Sequence, residues 1–109
     1  MVLKDLCEEL DLEILNEADL SREVSGCYIG DLLSNVMANA QKDQLWLTIQ
    51  GHQNTIAVSL LAEVSAVIVV EDSEVDQKSI KRAEEKGVNL LKSELTAYEL
   101  AKRLSDLGV

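Results

Sequence analysis

The chain has 109 residues, 47% of them hydrophobic, which is enough to build one ordinary core and too little for a second. Its 20 acidic residues outnumber 10 basic ones for a net charge of -10, which repels nucleic-acid phosphate, and the basic clusters IKRAEEK and AKRL are balanced by neighbouring carboxylates. AVIVV, the longest apolar run, is far too short for a membrane span, no signal-peptide layout opens the chain, and Cys7 and Cys27 match no metal-ligand spacing, so we expect one soluble, cytoplasmic domain with unpaired thiols.

Taken in order, Leu3, Leu6, Cys7 and Leu10 recur at i, i+3, i+4 and i+7 and predict a one-faced amphipathic helix. LEIL follows as a short strand. In ADLSREVSGCYIGD, Val24, Tyr28 and Ile29 fit an extended segment interrupted at Gly26. DLLSNVMANA predicts a short helix, with Asp31 as its N-cap and Leu32, Leu33, Val36, Met37 and Ala40 on one face. QLWLTIQ reads as a strand, NTIAVSLLAEV as a helix, and AVIVV as a strand apolar throughout, the pattern of a strand covered on both faces.

SEVDQKSIKRAEEKG predicts a solvated helix closed by Gly87, with VNLL as a short strand behind it. The last helix is the best specified. Thr96 and Glu99 form a capping box, Leu95 and Leu100 a hydrophobic staple, and Leu100, Ala101, Leu104 and Leu107 the buried stripe before Gly108. Alternating strands and helices with short connections predict right-handed parallel crossovers. The fold class expected is therefore α/β: a mixed, mainly parallel sheet with helices on both faces, AVIVV near its centre, and the first strands adding a mixed edge.

The only histidine lies in IQGHQNT, where the chain leaves a strand, turns at Gly51 and enters a helix. Open α/β sheets place ligands at that position, and free N–H groups of a helix start attract anions. Gly51, His52, Gln53, Asn54 and Thr55 thus read either as turn-and-cap residues or as the lining of a small-ligand or interface site. Neither GxxxxGK[ST] nor GxGxxG occurs, no GxSxG elbow presents a nucleophile to His52, and one histidine with scattered thiols is too few ligands for zinc. Neither catalytic residues nor a metal or cofactor is expected. The carboxylate runs read as solvated surface, with Glu71 and Asp72 the exception because they follow the central strand on the rim of His52. A second constellation, Arg22, Ser25, Gly26, Asp31 and Ser34, reads either as a recognition surface or as a bulged strand followed by a capped helix.

The runs LSREVSGCYIGDLLSNVMANA, LWLTIQGHQNTIAVSLLAEVSAVIVVED, GVNLL and LTAYELAKRLSDLG together resemble the DRTGG domain family in order and spacing over almost the whole chain. At the places of the name-giving loop the chain carries Ser21, Arg22, Ser25, Gly26 and Cys27, keeping only the arginine and one glycine. The resemblance implies a fold similar to the N-terminal domain of HPr kinase/phosphorylase. It also implies a module that accompanies phosphotransacetylases and regulatory pyrophosphatases without supplying their chemistry, that contributes to dimers, and that in free-standing form is associated with hydrogenase and redox-sensing gene sets.

The function expected is a non-catalytic regulatory module that binds a small anionic ligand or adenine nucleotide and forms a homodimer. The alternative is an adaptor for a redox or signalling protein partner, with no small-molecule ligand; neither reading involves nucleic acid or a membrane. Val2, Leu3 and the Met37 region are the apolar residues expected at a dimer contact.

Overall fold

The computed structural model describes residues 1–109. Its elements are α1 (Leu3–Glu9), β1 (Glu13–Asn16), β2 (Gly26–Ile29), α2 (Leu33–Asn39), β3 (Gln44–Thr48), α3 (Gln53–Leu61), β4 (Ala66–Val69), α4 (Gln77–Lys86), β5 (Leu90–Lys92) and α5 (Ala97–Asp106). The five strands form one sheet in the order β1-β5-β4-β3-β2. Pairing is parallel from β2 through β5, and only β1 runs antiparallel, against β5. The apolar strand β4 is central, as expected, but the two early strands do not share an edge. They close opposite sides of the sheet, because the segment between them crosses its full width.

Alternation along the central strands sends side chains to both faces of the one sheet, so the core of this single domain lies in two layers. Leu45, Leu47, Ala66, Ile68 and Leu91 meet Leu3, Leu6 and Cys7 of α1 and Leu100 and Leu104 of α5 on one face. Trp46, Val67, Val69 and Leu90 meet Val36 of α2, Ile56 and Val58 of α3 and Ala83 of α4 on the other. Each fully buried Leu or Ile in these layers contributes roughly 1.5–3 kcal/mol. The indole N–H of Trp46 donates to the Gly30 carbonyl at 2.8 Å, so the largest core side chain also ties the end of β2 to β3.

Local signals are realised where they are self-contained. Thr96 and Glu99 make the reciprocal capping box of α5, and Gly87 ends α4 at φ 71°, in the left-handed region. Three expectations change. Helix α4 starts at Gln77 rather than at Ser73, because Asp76 accepts the Ser79 N–H at 2.7 Å and defines the first turn. Asp31 caps nothing: the residue before α2 is Leu32, without a side-chain cap, and Asp31 reaches another strand instead. Of Val2, Leu3 and the Met37 region, the residues expected at a dimer contact, Leu3 is fully buried in the core and Val2 half-buried, whereas Met37 is exposed.

Candidate functional site

The carboxyl ends of β2 and β3 lie side by side, and the loops leaving them hold each other. One carboxylate oxygen of Asp31, Oδ1, accepts from the Thr48 hydroxyl at 2.7 Å and from the Ile49 N–H at 2.9 Å. Gln50 returns the contact, its side-chain amide donating to the Asp31 carbonyl at 2.8 Å. The Thr55 hydroxyl donates to the Gln50 carbonyl at 2.9 Å, which fastens the first turn of α3 to the end of β3. These bonds leave Oδ2 of Asp31 without a partner in the chain.

Gly51 occupies the crossing point between this loop and the segment leading into α4. A Cβ there would stand 2.5 Å from the Glu74 carbonyl oxygen and 2.8 Å from the Val75 Cα, so only glycine fits without moving backbone. Its carbonyl accepts from the Ser79 hydroxyl at 2.9 Å and the Asp76 N–H at 3.4 Å. The Ser79 hydroxyl, shared with that carbonyl, and the Ser79 N–H hold the Asp76 carboxyl below its ordinary value, with nearby His52 and Lys78 adding attraction.

Helix α3 then begins without a cap. His52 stands at the N-cap in extended conformation and its side chain makes no capping bond. The N–H groups of Gly51, His52, Gln53 and Asn54 have no acceptor in the chain. His52, Gln53 and Asn54 are exposed, while Gly51 and Thr55 are buried beneath them. The result is a rigid helix start presenting unpaired donors under three polar side chains, the usual arrangement for attracting an anion.

The second predicted constellation is split. Asp31 belongs to the rim just described, with Ser34 exposed in the first turn of α2 behind it. Arg22, Ser25 and Gly26 lie at the other end of the strands, roughly 15 Å away along β3. There the guanidinium of Arg22 donates to the Val64 carbonyl at 2.8 Å, the Asp43 carboxylate at 2.8 Å and the Glu63 carbonyl at 2.9 Å. Asp43 and Glu63 both have left-handed backbones, at φ 68° and 56°, so Arg22 clamps the two tight turns that feed β3 and β4. The Ser25 N–H donates to the Asp43 carbonyl at 2.9 Å, and Gly26 opens β2 opposite Gln44.

One polar feature escapes sequence reading. Asn89 is buried, donates to the Asp19 and Ser65 carbonyls and accepts the Ala18 and Asp19 N–H groups, so one side chain fixes the long β1–β2 connection. Beyond β4, Glu71 and Asp72 are consecutive left-handed residues whose N–H groups donate to the Leu95 and Ser93 carbonyls. Asp72 also pairs with Lys92 at 3.3 Å. Asp72 borders a cleft of about 380 Å³ shared with Asp11, Glu13, Lys92, Glu94 and Arg103. Its carboxylates outnumber its cations, so it suits an anion less well than the start of α3 does. Both cysteines are free and pack in or against the α1/α5 core, and burial pushes the Cys27 thiol up to about 11.

The fold defines the class: a small α/β domain whose mainly parallel sheet is enclosed by two helical layers. The model of the DRTGG domain matches residues 5–107, and the chain belongs to the DRTGG domain family. A solved structure with the same fold is that of the CBS and DRTGG domains of the regulatory region of Clostridium perfringens pyrophosphatase complexed with its activator, diadenosine tetraphosphate. The two superpose with a TM-score of 0.75 at 10% identity, over 93% of this chain and 44% of that one. No curated protein matches the sequence. Family and fold class are therefore as the sequence led us to expect. No helix is long and apolar enough to cross a membrane.

Proposed function

We propose that this domain is a non-catalytic regulatory module that binds a small phosphate-bearing ligand, an adenine nucleotide, where α3 begins, and that it works as a homodimer. The observation that carries this reading is the uncapped start of α3, with four unpaired N–H groups beneath the exposed His52, Gln53 and Asn54. Phosphate oxygens would take the N–H groups and His52, Gln53 and Asn54 would orient the ligand. The free Oδ2 of Asp31 would accept from a ribose hydroxyl. That a regulatory region of similar fold is complexed with an adenine dinucleotide supports the choice of ligand. The non-catalytic part rests on inventory: the lone histidine stands exposed at a helix start, and both thiols pack on the sheet face that carries α1 and α5.

Calorimetry with ADP, ATP and diadenosine tetraphosphate tests this reading. We expect saturable heat with at least one of them, and roughly tenfold weaker binding in His52→Ala, the loss of one charge-assisted contact. No heat with any of the three at millimolar concentration overturns it. A second reading, an adaptor that docks a protein partner and takes no small molecule, is favoured by the exposed Leu32, Met37 and Leu61. Recovery of one stable partner by apo protein, with no thermal shift from nucleotides, would select it.

A further inference from the structure

Charge is distributed unevenly along this chain. Of the 20 acidic and 10 basic residues, only Asp31, Lys42 and Asp43 fall between Val24 and Ala62. That stretch forms β2, α2, β3 and α3, so one side of the molecule, the outer surfaces of α2 and α3 beside the β2 edge, has almost no charge. Helices α1, α4 and α5 carry the rest of their layers with Lys, Arg, Asp and Glu on their exposed positions.

Helix α3 is also wrong for a surface helix. Its inner positions Ile56 and Val58 are buried against the sheet, but beyond the polar first turn of Gln53 and Asn54 its outer positions are Ala57, Leu60 and Leu61 rather than charged residues. A stretch of helix that is apolar on its outer as well as its inner side is ordinarily covered on both. Leu61 is 69% exposed and Leu60 46%, and α2, which packs beside α3, adds Leu32 at 64% and Met37 at 54%, with Ile29 at the end of β2 at 50%. The edge of β2 itself has no strand beyond it.

We propose that this face is where a second copy of the chain docks, a surface that rests on the dimer reading above and gives it a location. Two chains of net charge -10 repel, and at physiological salt, with a screening length of about 8 Å, the charges nearest the contact dominate. In a molecule 32 × 26 × 25 Å across, charge on the far side is screened, so two copies meet at least cost through the side that has least. A two-fold axis there puts the uncharged outer sides of α2 and α3, with Leu32, Met37, Leu60 and Leu61, against their own equivalents, which satisfies the self-complementarity of an isologous contact. A standard interface takes roughly 800 Å² per partner, about a seventh of the 5930 Å² surface, an area that two helix exteriors and a strand edge can supply. The start of α3 lies at one end of this face, so ligand site and contact share an element.

Sedimentation velocity or light scattering on the full chain at tens of micromolar tests the location. Wild type should be a dimer, and Leu61→Glu and Met37→Glu should each raise the dissociation constant by at least about a hundredfold, as loss of an interface anchor does. Circular dichroism should be unchanged, because both side chains point outward. Tyr98→Glu, exposed on α5 across the sheet, should leave the dimer intact. A wild-type dimer that survives both α2 and α3 substitutions, or that Tyr98→Glu breaks, overturns the location while leaving dimerisation standing. A wild-type monomer overturns both, and gives this face to a different protein.

Discussion

The two ends of the parallel sheet differ in how completely their polar groups are satisfied. At the amino end, Arg22 donates to three acceptors and Ser65 donates to the Glu23 and Asp43 carbonyls, while nearby Asn89 makes four bonds. At the carboxyl end, Asp31 and Gln50 lock the loops together, yet four N–H groups at the start of α3 and one oxygen of Asp31 remain unpartnered. A clamp needs saturation and a binding site needs rigid groups in reserve. The amino end has the first property, and the carboxyl end holds the unpartnered groups that the proposed site would use.

Gly51→Ala should give the largest effect. Its Cβ would collide with the backbone at Glu74 and Val75, and overpacking against backbone should cost about 3 kcal/mol in urea unfolding and abolish ligand binding with it. A fully stable Gly51→Ala would show that the loop at the carboxyl end is soft, and the rigidity on which the comparison depends would be lost. Arg22→Met should come next. It removes three charge-assisted bonds from two left-handed turns and should cost about 2 kcal/mol, without changing nucleotide affinity in the folded fraction. Reduced affinity at unchanged stability would instead make the amino end a ligand surface.

Acid should give the smallest effect over the ordinary range. Asp19, Asp76 and Glu99 have carboxyl groups held below their ordinary values, Asp19 by Ser21, Asp76 by Ser79 and Glu99 by Thr96. A carboxyl lowered in the folded state contributes stability that is complete above its unfolded value and is lost as pH falls through the folded one. Their ordinary values are 3.8 for the aspartates and 4.5 for the glutamate, so thermal stability should show no loss from these groups between neutrality and pH 5, and should fall below about pH 4. A loss already complete at pH 6 would mean that other groups govern acid stability.

The sequence was most legible where a signal and its partner sit within one turn. The capping box of Thr96 and Glu99, the left-handed Gly87 and the apolar central strand could all be read locally. Asp31 was misplaced because an acidic residue before LLSNV satisfies the local rule for a cap, while its partner Thr48 arrives only after a helical crossover. Arg22 has the same history: beside Ser25 and Gly26 it resembles a recognition residue, but its acceptors at Glu63 and Val64 are 41 and 42 residues away. Asn89 carried no signal at all in VNLL, since its bonds to residues 18 and 19 depend on which strand lies next to β5. What could be read of the candidate site was its place, after a strand and before a helix. That the helix start is left uncapped depends on side-chain directions that no spacing encodes.

An amide-resolved NMR titration with ADP measures the difference between the two ends directly, because it reports both in one experiment. The account expects the N–H signals of Gly51, His52, Gln53 and Asn54 to move together and saturably, while those of Arg22, Ser25 and Gly26 stay in place. Movement confined to Arg22, Ser25 and Gly26, or a spectrum unchanged at millimolar ADP, ATP and diadenosine tetraphosphate, would contradict it.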